Sequence, residues 1–166
     1  GVFSGDHLDQ ATEILLDAVP SPPAHGTLLD LGCGWGPIAL ALGFASPQAT
    51  VWAVDVNERA LDLTRRNAAA LDLPGVQAML PDEVPTEITF DVIWSNPPIR
   101  IGKAALHELL SQWLPRLNPD GVAYLVVSKN LGADSLTTWL NTALGAPTTR
   151  LTSSGGYRIL EVRRPA

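Results

Sequence analysis

Three groups of residues have the types and spacing to do chemistry: the glycine-rich run Gly32-Cys33-Gly34-Trp35-Gly36, the acid Asp55 that lies 23 residues after Gly32, and the proline-locked loop Asn96-Pro97-Pro98. Glycines at alternate positions let a backbone turn tightly and approach a ligand with no Cβ in the way. Asp55 closes the apolar run Thr50–Val54, where a carboxylate accepts hydrogen bonds from both hydroxyls of a ribose. Residues 32–37 read GCGWGP, which departs from the dinucleotide fingerprint GxGxxG and lacks the GK[ST] of a phosphate-binding loop. Asp30, just before the loop, repels a pyrophosphate and suits an ammonium group. A zwitterionic amino-acid tail on an adenosine therefore fits these residues better than a dinucleotide does.

The second constellation, Phe90–Ile99, reads FDVIWSNPPI. Each proline removes a backbone donor, and the residue before a proline is held extended. What remains is a rigid loop whose free groups are carbonyls and the Asn96 carboxamide. Such a loop accepts hydrogen bonds from an –NH₂ group. Cys33 reads as a small residue between glycines rather than a nucleophile, and Trp52 and Trp94 read as core.

These groups need a scaffold that brings strand ends together, and the pattern of elements supplies one. Apolar runs at 27–31, 50–54, 76–80, 90–94 and 122–127 predict strands. Helical spacing predicts helices over 6–19, 38–44, 58–71, 104–117 and 133–144, with Pro20-Ser21-Pro22-Pro23 ending the first. Two last strands, 148–152 and 158–162, join through Ser153-Ser154-Gly155-Gly156 as a hairpin. Alternating strands and helices predict a Rossmann-like, doubly wound α/β fold. Its sheet is seven-stranded and mainly parallel, with an antiparallel hairpin at the C-terminus. Open α/β sheets bind ligands at the carboxyl ends of their strands, which is where the glycine loop, Asp55 and Asn96 all fall.

The chain has 166 residues, 46% of them hydrophobic and 17% charged, a composition that excludes a disordered chain and fits one domain spanning 1–166. No apolar run reaches the ~20 residues of a membrane span, and the first residues do not read as a signal peptide. The single cysteine excludes an internal disulfide or a cysteine-based zinc site, and His7, His25 and His107 lack ligand spacing, so no metal is expected. A cytoplasmic enzyme is the expectation. The net charge of −6 is uneven: residues 1–99 hold 13 acids and 3 arginines, whereas residues 100–166 hold 4 acids and 8 bases. A basic second part can meet nucleic acid locally even on an acidic chain. Arg100, Lys103, Lys129 and Arg158 follow strand ends or lie in the hairpin, and are the leading phosphate contacts.

Asp30–Gly36 (DLGCGWG) resembles the cofactor loop of class I S-adenosylmethionine-dependent methyltransferases. NPPI resembles the motif of those that methylate exocyclic amines of nucleobases or a glutamine amide. With GVFSGD at 1–6, Leu8-Asp9 and the final GGYRIL, nearly the whole chain resembles the small-subunit ribosomal RNA guanine-N2 methyltransferase family. The resemblance implies S-adenosylmethionine as cofactor, RNA as partner, and guanine N2 as the methylated atom. It places Asp30, Gly32, Gly34 and Gly36 around the methionine part, Asp55 on the ribose and Asp82 on the adenine amine. Asn96 and Pro97 accept the hydrogens of the target amine, and Phe3 and Ser4 help close the site. Pro98, Ile99, Arg100, Lys103 and Arg158 face the substrate, with Ile99 standing where many relatives place an aromatic ring. Two organisations remain open, the C-terminal catalytic domain of a longer protein or a stand-alone relative. So do three other functions: a protein glutamine-N5 methyltransferase, an adenine-N6 methyltransferase, and a catalytically inert RNA-binding module.

Overall fold

The computed structural model describes residues 5–98 and 101–166, with the side chains of the first helix described from residue 10 onward. Helix α1 (Gly5–Ala18) leads into β1 (Thr27–Leu31), α2 (Pro37–Ala45), β2 (Thr50–Val54), α3 (Glu58–Ala70) and β3 (Val76–Met79). A single 3₁₀ turn, Pro81–Glu83, precedes β4 (Phe90–Ser95) and α4 (Lys103–Trp113). Strand β5 (Leu117–Ser128), α5 (Ala133–Thr142), β6 (Thr148–Ser154) and β7 (Tyr157–Arg163) complete the chain.

The seven strands form one sheet in the order β3-β2-β1-β4-β5-β7-β6. The first five are parallel, and β7 pairs antiparallel with both β5 and β6. This is the expected doubly wound sheet with its terminal hairpin. Strand order reverses between β1 and β4, which puts the switch point, and hence the ligand crevice, between the ends of those two strands.

Side chains alternate across the sheet and build a core on each face. Leu28, Val51, Val92, Trp94 and Val126 pack beneath α1, α2 and α3 with Leu15, Ile38, Leu42 and Leu61. Leu29, Ile93, Leu125 and Leu160 pack beneath α4 and α5 with Leu106, Leu110, Leu136 and Leu140. Strands buried on both faces explain why the apolar runs in the sequence are nearly continuous.

Two boundaries differ by more than two residues from the sequence reading. The fourth helix ends at Trp113 rather than 117 and tightens into the 3₁₀ turn Leu114–Arg116, because Pro115 has no N–H to continue the α-helical ladder. Strand β5 starts at Leu117 rather than 122, since Leu117 pairs with Phe90 across an irregularity before Val92 pairs with Val122. In the hairpin, Gly155 and Gly156 have φ of 56° and 83°. Both central residues of a two-residue turn that matches the strand twist need positive φ, which glycine adopts without penalty.

Candidate active site

The glycine loop is shaped mainly by the residues around it. The N–H groups of Gly32 and Cys33 both donate to the Val54 carbonyl, at 2.8 and 2.9 Å, so the loop is anchored to the end of β2. Gly36 has φ 102°, and a Cβ there would meet Thr64 Oγ1 at 2.8 Å. The glycine thus lets α3 approach the loop, and Pro37 opens α2 directly after it. Thr64 and Asn67 of α3 hold the loop from below: Thr64 Oγ1 lies 3.0 Å from the Gly34 carbonyl, and Asn67 Nδ2 donates to the Trp35 carbonyl at 3.2 Å.

Asp55 joins the loop to α3. Its Oδ2 accepts from the Gly34 N–H at 2.9 Å and its Oδ1 from the Asn57 N–H at 2.9 Å. Asn57 in turn caps α3 by accepting from the N–H groups of Arg59 and Ala60. Each carboxylate oxygen keeps a second lone pair for a ligand hydroxyl.

Asp30 is fully buried. Its Oδ2 accepts from the Ala39 N–H at 2.9 Å, while its Oδ1 has no hydrogen-bond partner among the described residues. Burial pushes its carboxyl up to about 8; the Ala39 bond opposes the shift and the nearby Asp55 charge adds to it. Cys33 is also buried, and desolvation with the charge of Asp30 pushes its thiol up, so it is no nucleophile.

The Asn96 loop sits against this construction. A Cβ at Gly32 would lie 3.6 Å from Pro98 Cδ. The buried Ser95 hydroxyl donates to the Leu31 carbonyl at 2.6 Å, tying the end of β4 to the end of β1. Asn96 is half-buried and Pro97 buried. Neither the Asn96 carboxamide nor the Pro97 carbonyl is engaged by a described residue, whereas the Pro98 carbonyl accepts from the Ile101 N–H at 3.2 Å. The loop thus offers acceptors and almost no donors, beside the glycines.

Asp82 is exposed in the 3₁₀ turn that follows β3, on the same rim of the sheet. Lys103 is exposed at the first position of α4, and Arg158 lies at the start of β7, ion-paired with Asp134. Phe3, Ser4, Ile99 and Arg100 lie outside the described residues. Thr64, Asn67 and Ser95 were missed by sequence reasoning. For Thr64 a signal existed, because it continues the buried stripe that runs from Leu61 to Ala68 on α3, where a polar residue needs a partner.

Among the described residues, no group of three or more His, Cys, Asp or Glu side chains could hold a metal ion, and no helix is long and apolar enough to cross a membrane. The groups present fit a nucleoside with an amino-acid tail. There are two carboxylates, one with an unpartnered buried oxygen, and at Gly34 a Cβ would meet nothing within 4 Å.

A doubly wound sheet with this glycine loop, terminal acid and antiparallel hairpin defines the class I S-adenosylmethionine-dependent methyltransferases. The methyltransferase small domain family model matches residues 1–161, and the chain belongs to that family. It is a methyltransferase that binds S-adenosylmethionine. It is 37% identical over 138 residues to the uncharacterized protein YbxB of Bacillus subtilis, covering 81% of this chain and 69% of that protein. It is 38% identical over 134 residues to ribosomal RNA small subunit methyltransferase C of Actinobacillus succinogenes, covering 77% of this chain and 39% of that one. The solved T. thermophilus 16S rRNA N2 G1207 methyltransferase, in complex with AdoMet and guanosine, superposes with a TM-score of 0.78 at 27% identity. That likeness covers 99% of this chain and 45% of the T. thermophilus chain. The chain therefore spans less than half the length of these ribosomal RNA methyltransferases.

Proposed function

We propose that the chain methylates the exocyclic amine of a nucleobase in RNA, with guanine N2 of small-subunit ribosomal RNA as the substrate. The observation that carries this reading is the Asn96-Pro97-Pro98 loop, with its unengaged acceptors held against the glycine loop by the Ser95–Leu31 hydrogen bond. The likeness to a guanosine-binding ribosomal RNA methyltransferase supports it. We place such an enzyme in the cytoplasm, where bacteria such as those that carry the curated relatives assemble their ribosomes.

Bound S-adenosylmethionine supplies a sulfonium methyl group that is already activated for transfer. The chain's task is placement: Asp55 holds the ribose hydroxyls, Asp30 answers the ammonium, and Asp82 meets the adenine amine. An exocyclic guanine amine is a poor nucleophile because its lone pair is delocalised into the ring. The Asn96 side-chain oxygen and the Pro97 carbonyl accept its two hydrogens, turn the nitrogen towards sp³ character and stabilise the charge that develops there. Near-attack placement of this kind can supply about 7–11 kcal/mol of the barrier. The motif contains no general base, and none is needed when the proton leaves after methyl transfer. A base in a duplex first flips out, which costs a few kcal/mol.

The test is to incubate the protein with S-adenosylmethionine and small ribosomal subunits from a strain lacking the gene, then weigh the nucleosides of the digested RNA and the peptides of the digested proteins. N2-methylguanosine is the expected product. N6-methyladenosine or a methylated glutamine in a ribosomal protein would replace the substrate assignment, and no methylation of either would return the chain to a binding role.

A further inference from the structure

The hairpin carries a second feature on the rim where the active site opens. A shallow cleft of about 320 Å³ is lined by Lys129, Arg150, Ser153 and Arg158, with Gly155 and Gly156 at its lip, and no acidic side chain is among its lining residues. The cleft owes its charge to an irregularity in β6. Arg150 pairs with Leu160 and Ser153 with Arg158, and the register shifts between Arg150 and Thr152. In a regular strand, residues three apart point to opposite faces. The extra residue restores Arg150 to the face shared by Ser153 and Arg158, as a bulge can re-aim a side chain. Lys129 follows the end of β5 and is tied to the hairpin, since its N–H donates to the Gly156 carbonyl at 2.8 Å.

Arg158 is the inner wall. Its side chain is only 16% exposed and is anchored by Asp134 of α5, which is 78% exposed. Its Nε is buried with no partner among the described residues. A guanidinium presents several donors, and one carboxylate on its end leaves the group short of acceptors. Lys129 and Arg150 are exposed and make no ion pair among the described residues. Three cations, one of them already paired with Asp134, and a hydroxyl beside them suit a compact oxyanion.

Position says which anion. Strand β5 lies beside β4, and β7 beside β5. At about 4.8 Å between strands, the cleft sits roughly 10 Å along the rim from Asn96. That is the reach of a nucleotide next to the one whose base is at Asn96. We infer that this cleft holds a backbone phosphate of the RNA adjacent to the target nucleotide, an assignment that rests on the RNA substrate proposed above. Such a contact fixes register without reading sequence. It gives a shared role to three of the eight basic side chains in residues 100–166.

The test is fluorescence anisotropy of a labelled, guanine-containing single-stranded RNA dodecamer, with S-adenosylhomocysteine present, across about 50–200 mM salt. The double variant K129Q/R150Q changes only exposed side chains. It is expected to flatten the slope of log affinity against log salt by about 0.7, the share of the one phosphate the cleft holds. Its S-adenosylmethionine affinity stays that of wild type, and R66Q, on the exposed face of α3, keeps the wild-type slope. If wild type binds this RNA with a steep slope that K129Q/R150Q leaves intact, the cleft assignment alone is overturned. If wild type binds no RNA, the RNA substrate reading falls and takes the cleft with it.

Discussion

The hydroxyl of Ser95 donates a 2.6 Å hydrogen bond to the carbonyl of Leu31, joining the strand that leads into Asn96 to the strand that leads into Gly32. Parallel pairing of β1 and β4 sets these two ends side by side, and the buried hydroxyl fixes their separation. On the proposed function, methyl transfer depends on how the Asn96 loop sits relative to the glycine loop, and this bond would set that geometry. Ser95→Ala leaves the Leu31 carbonyl without its side-chain donor, at an expected cost of about 1–3 kcal/mol in unfolding free energy. Turnover is expected to fall while the S-adenosylmethionine Kd holds. A variant that loses stability with an unchanged kcat would make Ser95 structural only.

Asp55 does two jobs that substitution can separate. It accepts the N–H groups of Gly34 and Asn57, and it is proposed to hold the ribose. Asp55→Ala removes both, so stability of the ligand-free protein falls by about 1–3 kcal/mol. Cofactor Kd rises at least about tenfold, equivalent to about 1.4 kcal/mol. Asp55→Asn keeps one acceptor oxygen and loses less of each. Calorimetry giving an Asp55→Ala Kd within about threefold of wild type, under 1 kcal/mol, would take the ribose contact away from Asp55.

Much of this was legible because glycine and proline punctuate the chain at strand ends. The runs before Gly32, Asp55 and Asn96 read as buried strands, and their order placed all three groups on one rim. What escaped the sequence depends on pairings between distant residues. The start of β5 at Leu117 is set by Phe90, 27 positions earlier, across an irregular register that no local pattern records. The aim of Arg150 comes from a bulge defined only against β7, and the anchor of Arg158 on Asp134 needs α5 folded over the hairpin. Ser95 carries no local signal of its own, and its role appears only once β1 is its neighbour.

Asp30 gives the ligand-free protein a pH signature. Burial raises its carboxyl from 3.8 to about 8, so between those values the folded state holds a proton that the unfolded chain has released. Stability from this group is complete below about pH 4 and is lost as pH rises through about 8. Asp30→Asn is expected to remove that contribution. In urea unfolding without ligand, wild type should lose more stability than Asp30→Asn between pH 5.5 and pH 8. Parallel losses in the two proteins would mean that Asp30 is already ionised in the fold.

Asn96 is where the proposed chemistry is most exposed to test. Pro97 and Pro98 have no N–H, and the Pro98 carbonyl is already taken by Ile101, so the acceptors left for an amine are the Asn96 carboxamide and the Pro97 carbonyl. The Pro97 carbonyl survives any side-chain change, so Asn96→Ala removes one acceptor and leaves the other. Losing one well-placed electrostatic partner costs about 10²–10³ in turnover. Single-turnover rates should fall by that factor, with the S-adenosylmethionine Kd little changed because Asp30 and Asp55 remain. Asn96→Asp restores an acceptor at the same point but adds a charge beside the target, so its rate should fall between those of wild type and Asn96→Ala. That ordering separates a hydrogen-bond acceptor from a space-filling strand end, because Asp and Asn fill the same volume. An Asn96→Ala rate within about fivefold of wild type, far short of the loss of such a partner, would leave the loop as a rigid terminator and remove the basis for amine methylation.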